Sequence, residues 1–368
     1  MLEYLCDFLL VTVQIMYNNI LLIPALNPDD SFIEYVRQLR AAGFYRIVAV
    51  DDGSREDLRY IFSTLRDEYG CDLITHPVNL GKGRALKDGF LYIDEKYGEF
   101  DDYHGIITAD SDGQHTVADV IKLNDLLDRA TEPTLFLGSR NFDLDIVPQK
   151  SKKGNKITSR VFKLLYGKHI GDTQTGLRAI SRGLVDEYAH LDGDRFEYEM
   201  NMLIYATRAK HTIVEESIET VYINNNSETH FRPFVDSFKI YKLILGGFFK
   251  FAMSSVLSML LDQGLANLLF YLVFNNGYLA KGVARLFSAV FNFTLNRSVV
   301  FKSDKDAKGQ AIRYGILAVC QLAVSAVLVG LLTELCRVTW LFTVFSILVD
   351  TLLFLISYRI QDAWVFKK

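Results

Sequence analysis

Two hydrophobic rhythms divide the chain. Up to about residue 225, short apolar runs alternate with charged, turn-rich stretches of helical length. Ile20-Leu21-Leu22-Ile23-Pro24 reads as a buried strand ending in Ala25-Leu26-Asn27, and Asp29 to Ala42 has helical spacing. Arg46-Ile47-Val48-Ala49-Val50 is the next strand, closed by Asp51-Asp52-Gly53-Ser54; a helix from Glu56 to Tyr69 and a short strand near Leu73-Ile74-Thr75 follow. Asn79-Leu80-Gly81-Lys82-Gly83 precedes a helix through Tyr97, and Gly105-Ile106-Ile107-Thr108-Ala109 leads into Asp110-Ser111-Asp112-Gly113-Gln114-His115. This alternation predicts a parallel sheet with helices on both faces. Ligands of such sheets bind beyond the carboxyl ends of the strands, where Pro24, Asp51, Asp52 and Asp110 fall.

From about residue 243, Leu, Val, Phe and Ala dominate. Four apolar segments, about 248–274, 280–300, 311–333 and 339–358, come near or exceed the roughly 20 residues that cross a bilayer. The expected organisation is an N-terminal extension (1–15), an α/β domain (16–225), an amphipathic juxtamembrane connector (226–247) and an all-α transmembrane domain of four helices (248–368). Residues 1–15 contain Glu3 and Asp7 and lack a basic n-region, which argues against a signal peptide. An extension from an upstream start codon is expected, with an interfacial helix as the alternative. In the connector, Phe231-Arg232-Pro233-Phe234 and Phe238-Lys239-Ile240-Tyr241-Lys242 suit an anionic membrane surface, or else a packed amphipathic helix. Lys302, Lys305, Lys308 and Arg313, with Lys367-Lys368, put both termini and the α/β domain in the cytoplasm. The two hairpins look repeated, Asn296–Lys302 matching Gln361–Lys367. Asp262, Arg285 and Asp350 lie inside spans, where a charge costs about 2.5–3.5 kcal/mol, so each is expected to face protein, water or headgroups.

Composition narrows the class. Half the residues are hydrophobic, and mean hydropathy is +0.13. A net charge of −4 gives no basic field for nucleic acid. Cys6, Cys71, Cys320 and Cys336 lie far apart without C-x-x-C spacing, so unpaired thiols and no zinc site are expected.

Asp110 and Asp112, two carboxylates at i and i+2 after a buried strand, suit Mg²⁺ or Mn²⁺. An ordinary Asp-Gly turn is the plain alternative. Gly81-Lys82-Gly83 lacks the spacing of a dinucleotide fingerprint, and no P-loop occurs. The series Pro24–Asn27, Asp51–Ser54, Asn79–Gly83 and Asp110–His115 resembles family 2 glycosyltransferases of the dolichyl-phosphate mannose synthase and polyprenyl-phosphate glycosyltransferase type. Gly138-Ser139-Arg140, Asp172–Arg178 and Phe196–Glu199 continue the match over about 18–245. Residues 247–368 resemble GtrA-like membrane domains, which are proposed to bind or flip polyprenyl-phosphate sugars.

The resemblance implies an α/β GT-A (Rossmann-like) fold and a UDP- or GDP-linked sugar donor. Asp51 would recognise the base, with Pro24, Leu26, Asn27, Asp52 and Lys82 around it; Asp110, Asp112 and Gln114 would hold the cation and donor diphosphate. The family usually has an aromatic residue at Leu26 and an acidic one at Pro28, so contacts there depart from the pattern. A polyprenyl phosphate acceptor is already anionic and needs positioning more than a general base. Arg140 is the first candidate to bind it, then Lys153 and Arg178. Glu197 and Glu199 would orient sugar hydroxyls or face solvent; Glu199 would become the base for a neutral lipid acceptor. Trp340 and Trp364 lack the Q-x-x-R-W context of processive synthases, which favours transfer of one sugar. A transporter or scaffold with an inactive transferase domain is the competing class. Homo-oligomerisation stays open.

Overall fold

The computed structural model describes residues 16–145, 147–219, 233–336 and 341–367. The expectations for 1–15, Phe231-Arg232, Trp340 and Lys368 lie outside them. Two compact units emerge: residues through Lys163 with Lys168–Ile240, and Leu164–Gly167 with Tyr241 onward.

The first unit is built on strands β1 (Ile20–Ala25), β2 (Ile47–Asp51), β3 (Asp72–Thr75), β4 (Gly105–Thr108), β5 (Thr134–Arg140), β6 (Arg178–Ser181) and β7 (Thr212–Ile218), in the order β3-β2-β1-β4-β6-β5-β7. The intervening helices are α1 (Ser31–Ala42), α2 (Arg59–Asp67), α3 (Lys82–Tyr97), α4 (Val117–Asp128), α5 (Gln149–Tyr166), α6 (Arg182–Ala189) and α7 (Glu197–Ala209). The expected parallel sheet needs one correction: β6 runs antiparallel to both β4 and β5. Alternation of strands and helices carries no sign for strand direction.

Period-two alternation splits the strands between two layers. Leu21, Ile23, Ile47 and Ala49 join one core with Phe32, Val36 and Leu39 of α1, Phe62 of α2 and Leu123 of α4. Leu22 points the other way, and a Cβ on Gly89 of α3 would sit 2.3 Å from it. Each fully buried aliphatic or aromatic side chain contributes about 1.5–3 kcal/mol.

Pro24 lies inside β1, buried and registered with Val50, rather than in the turn after it. Its missing N–H would face the β4 side, where pairing runs only from Ile20 to Leu22, so no ladder bond is lost.

The second unit contains helices α8 (Pro233–Leu269), α9 (Gly277–Leu295), α10 (Ala307–Cys336) and α11 (Leu341–Ile360). A π-helical turn follows α8 at Phe270–Phe274, α9 at Asn296–Val300 and α11 at Gln361–Val365. Three stretches among the described residues, Phe238–Val273, Ala307–Leu332 and Val344–Val365, are long and apolar enough to cross a membrane. The helix carrying Lys281 and Arg285 is not among them. Cys71 is buried and Cys320 exposed, both as free thiols.

Candidate active site

The carboxyl ends of β1, β2 and β4 converge because the turns after them are tied together. Asp52 N donates to Ala25 O at 2.9 Å, Asn27 N to Ser54 Oγ at 2.9 Å, and Arg55 N to Asn27 Oδ1 at 2.9 Å. Asn27 accommodates φ +48° in that turn. Asp51 is buried and caps its own turn, accepting from Ser54 N at 2.8 Å.

Asp52 clamps the next loop. Its Oδ1 accepts from Leu80 N at 2.9 Å and lies 2.8 Å from His76 Nδ1, while Oδ2 accepts from Gly81 N at 2.8 Å. Gly81 has φ +106°, and a Cβ there would lie 2.3 Å from Asp194 O. Only glycine fits. This geometry delivers Lys82, the first residue of α3, into the site.

Lys82 is the centre of the charge arrangement. Its Nζ lies 2.6 Å from Asp110 Oδ1 and 2.9 Å from Glu199 Oε1. Burial disfavours its charge, yet Asp110 and Glu199 raise its pKa above that of an ordinary lysine. Asp110 is also partly desolvated, but Lys82 foremost and His115 next hold its carboxyl down at about 2. His115 is buried, which lowers it to about 4; its Nδ1 accepts from Asp110 N at 3.1 Å. Asp112 is exposed and its Oδ1 accepts from Gln114 N at 3.0 Å. Surrounding protein and the neighbouring Asp110 charge nevertheless raise it to about 6.

Three carboxylates, Asp110, Asp112 and Glu199, face one ammonium. Two negative charges remain unmatched, which suits a divalent cation. No three His, Cys, Asp or Glu side chains among the described residues converge to hold a metal alone. Two carboxylates completed by phosphate oxygens and water are the usual setting for Mg²⁺, so the residues present fit such an ion.

Arg140, at the end of β5, forks onto Asp172, Nε to Oδ2 at 2.7 Å and Nη2 to Oδ1 at 3.2 Å. Asp172 is fully buried. Beyond it, Gly176 packs against the Asp110 carboxylate: a Cβ there would lie 2.4 Å from Asp110 Oδ2.

Residues 20–189 match the model for glycosyl transferase family 2, and residues 250–366 match the GtrA/DPMS transmembrane domain. An uncharacterized protein of Methanocaldococcus jannaschii is 30% identical over 237 residues, covering 61% of this chain and 89% of its own. The chain belongs to glycosyl transferase family 2. The Methanococcus voltae UDP-N-acetylglucosamine–dolichyl-phosphate N-acetylglucosaminyltransferase is 28% identical, covering 55% of this chain and 85% of its own. A Saccharomyces cerevisiae dolichyl-phosphate β-glucosyltransferase is 30% identical, covering 46% and 55%. This chain is therefore a glycosyltransferase with a GtrA-like membrane domain, and a membrane protein.

Within the transferase, Asp110, Asp112, Gln114 and Lys82 lie at the end of β4 and the start of α3, with Asp51 and Asp52 at the end of β2, across β1 on the same sheet edge. Leu26 is half-buried in the turn beside Asn27. Lys153 is exposed on α5.

Three expectations are revised. Arg178 does not reach the site as a phosphate ligand. It is 1% exposed, donates from Nε to Thr175 O at 3.0 Å and from Nη1 to Glu199 O at 2.8 Å, and so braces α7 against β6. Asp52 is occupied by loop amides rather than open to donor. Glu199 is 7% exposed and bound to Lys82, instead of facing solvent. Sequence reasoning missed Asp172, His76 and Gly176 as parts of the site. Asp172 and Gly176 stand in the Asp-Thr-Gln-Thr-Gly-Leu-Arg motif, which offered a signal; His76 offered none.

Proposed function

We propose that this glycosyltransferase moves a single sugar from a UDP- or GDP-linked donor to polyprenyl phosphate at the cytoplasmic membrane face, with Mg²⁺ or Mn²⁺ and inversion at the anomeric carbon. The observation that carries this is the Lys82 wedge between Asp110 and Glu199, which with Asp112 leaves the three-carboxylate cluster two negative charges in excess. The printed activities of the M. voltae and yeast relatives, both dolichyl-phosphate sugar transfers, support the lipid phosphate acceptor.

Asp110, Asp112 and Gln114 would hold the cation, whose charge would offset that of the departing nucleoside diphosphate. Asp51 takes the base at the end of β2, and Lys82 fixes the Asp110 carboxylate while lending positive charge to the diphosphate. The acceptor phosphate arrives ionised, so the protein must place it for in-line attack. Arg140 does so, its guanidinium plane set by Asp172, with Lys153 assisting. Glu199 acts through Lys82 as a positioning residue. With the Glu199 carboxylate already held by Lys82, the site favours a phosphate acceptor over a neutral lipid hydroxyl that would need a free base. The membrane domain anchors the enzyme beside its lipid substrate and moves the product across the bilayer.

The test is incubation of the purified full chain with a panel of nucleotide sugars, Mg²⁺ or Mn²⁺, and either undecaprenyl phosphate or diacylglycerol, followed by mass analysis of the lipid fraction. A polyprenyl-phosphate sugar that disappears in Asp112→Asn supports the reading. Sugar on diacylglycerol, or no lipid product from any donor, overturns it.

A further inference from the structure

A buried histidine that no step of the transfer uses lies under the loop carrying Lys82. His76 follows β3, and its backbone N donates to Asp51 O at 2.8 Å, which fixes it against the end of β2. Its ring stands between two carboxylates and is 7% exposed. Nδ1 lies 2.8 Å from Asp52 Oδ1. Nε2 lies 3.2 Å from Asp88 Oδ2 of α3, an ion-pair distance that is out of line for a hydrogen bond. Asp88 is held in turn by Arg84, whose Nε donates to Oδ2 at 2.8 Å.

Both Asp52 oxygens accept amide protons, Oδ1 from Leu80 N and Oδ2 from Gly81 N. The carboxylate therefore acts as acceptor throughout, so the proton belongs on His76 Nδ1, which donates to it. Asp52 is 3% exposed, and a buried carboxylate must be satisfied by donors of this kind. Two of the three come from the loop that Asp52 holds. The third, the histidine, sets the rotation of the carboxylate and so the direction in which its oxygens meet those amides. An apolar side chain would fill the same space; it would not turn Asp52.

The loop has little slack. A Cβ on Gly53, beside Asp52, would lie 2.2 Å from Val78 C, and one on Gly81 would lie 2.3 Å from Asp194 O. The segment from His76 to Gly81 is thus pressed between the β2 turn and the Asp194 backbone, and Lys82 follows directly. Lys82 Nζ must arrive 2.6 Å from Asp110 and 2.9 Å from Glu199. A misplacement of about 1 Å, even from a change remote from the reacting atoms, can cost about 100-fold in such a site.

We propose that His76 is a positioning residue for the donor: it orients the Asp52 carboxylate, which holds the Asn79–Gly83 loop, which presents Lys82 to the donor diphosphate. Asp52 then serves the donor without touching it. This role rests on Lys82 lending charge to that diphosphate, as proposed above.

Two measurements on the full chain test it. Hydrogen exchange without metal or donor reads the loop; steady-state transfer, with whichever nucleotide sugar yields lipid product, reads the link to Lys82. His76→Leu is expected to speed exchange of the Leu80–Arg84 amides about tenfold or more, as for loss of a hydrogen bond to a charged group, with β5 peptides unchanged. It is also expected to raise the donor KM about tenfold while the acceptor KM stays within about twofold. A merely structural role would lower the amount of active enzyme and leave both KM values alone. His76→Asn, whose amide reaches Asp52 from the place of Nδ1, should restore both readouts. Asp88→Ala alters a side chain that is 21% exposed and should move both readouts the same way by about threefold, so the test survives misfolding of His76→Leu. Unchanged loop exchange, faster exchange with an unchanged donor KM, donor and acceptor KM rising together, or His76→Asn no better than His76→Leu would each overturn the proposal. Failure of every nucleotide sugar with the wild type would instead sink the functional reading and this link with it, a result seen before any variant is made.

Discussion

Replacing Lys82 with Met removes the ammonium between Asp110 and Glu199 while keeping most of the side-chain volume. Its Nζ is 2.6 and 2.9 Å from the two carboxylates, and the lysine side chain is 18% exposed. Breaking a buried ion pair by removing one partner costs about 3–5 kcal/mol, because the other partner keeps its desolvation penalty. Asp110's own share, from being held at about 2 rather than its ordinary value, is about 2 kcal/mol. The sign with pH follows. In wild type, the depressed Asp110 contributes stability above the ordinary carboxylate range, lost only as pH falls toward 2. In Lys82→Met, burial and the Glu199 charge are left to raise Asp110, so the deficit grows as pH rises. The assay is hydrogen exchange on the full chain in metal-free buffer, read in peptides from α3 and α7. A local loss of about 3–5 kcal/mol accelerates exchange there by roughly 10²- to 10³-fold or more, more at pH 7.5 than at pH 5. Lys87→Met is the control. Lys87 pairs with Asp194, whose side chain is 59% exposed, a contact worth about 0–1 kcal/mol. Exchange in Lys82→Met within about threefold of wild type at both pH values would refute the coupling of α3, β4 and α7 through this lysine.

Asp112→Asn should lower sugar transfer at least about 100-fold and abolish Mn²⁺ binding by electron paramagnetic resonance. In wild type that binding should weaken below pH 6, because Asp112, raised to about 6, must shed its proton before it ligates; an affinity flat from pH 5 to 7.5 would contradict this. Arg178→Met should cost about 3 kcal/mol or more, since charged-donor hydrogen bonds contribute about 1.5–3 kcal/mol each, and chemical denaturation of the catalytic unit reads the loss. Unchanged stability with transfer abolished would return Arg178 to a phosphate-binding role. Gly176→Ala places a Cβ 2.4 Å from Asp110 Oδ2 and should cut transfer about 100-fold by displacing that carboxylate, with Mn²⁺ titration showing weakened binding.

The parts legible in the sequence are those set by local pattern. Asp110 and Asp112 were placed because a buried β4 must end before them, and Lys82 because Gly81 and Gly83 mark a tight entry into α3. Direction and partnership were not legible. Nothing local makes β6 antiparallel to β4, and that reversal puts Arg178 in the interior opposite Thr108. Glu199 reads as an ordinary helix glutamate until a lysine more than a hundred positions earlier meets it. Asp52 carries the same letters as a donor ligand, yet the amides of Leu80 and Gly81 consume its oxygens. A carboxylate's role is settled by which donors reach it first, and those come from elements far apart in the chain.

The same electrostatic reasoning governs both halves of the molecule and gives opposite answers. At the strand ends a single lysine against three carboxylates leaves a deficit of two positive charges, open to water on the Asp112 side. There an ion can enter and leave with each donor. In the membrane domain Asp262 is met within the chain by Lys281 at 2.6 Å and Arg285 at 3.8 Å, and Asp350 accepts from the Ser325 hydroxyl at 2.7 Å. A mobile counter-ion has no place in hydrocarbon, so a fixed charge must supply the balance. A site that must release its product tolerates an imbalance that substrate corrects; a span that stays in lipid does not. That contrast explains why the catalytic unit keeps a carboxylate excess at its strand ends, while Asp262 of the membrane domain is met by Lys281 and Arg285 of the next helix.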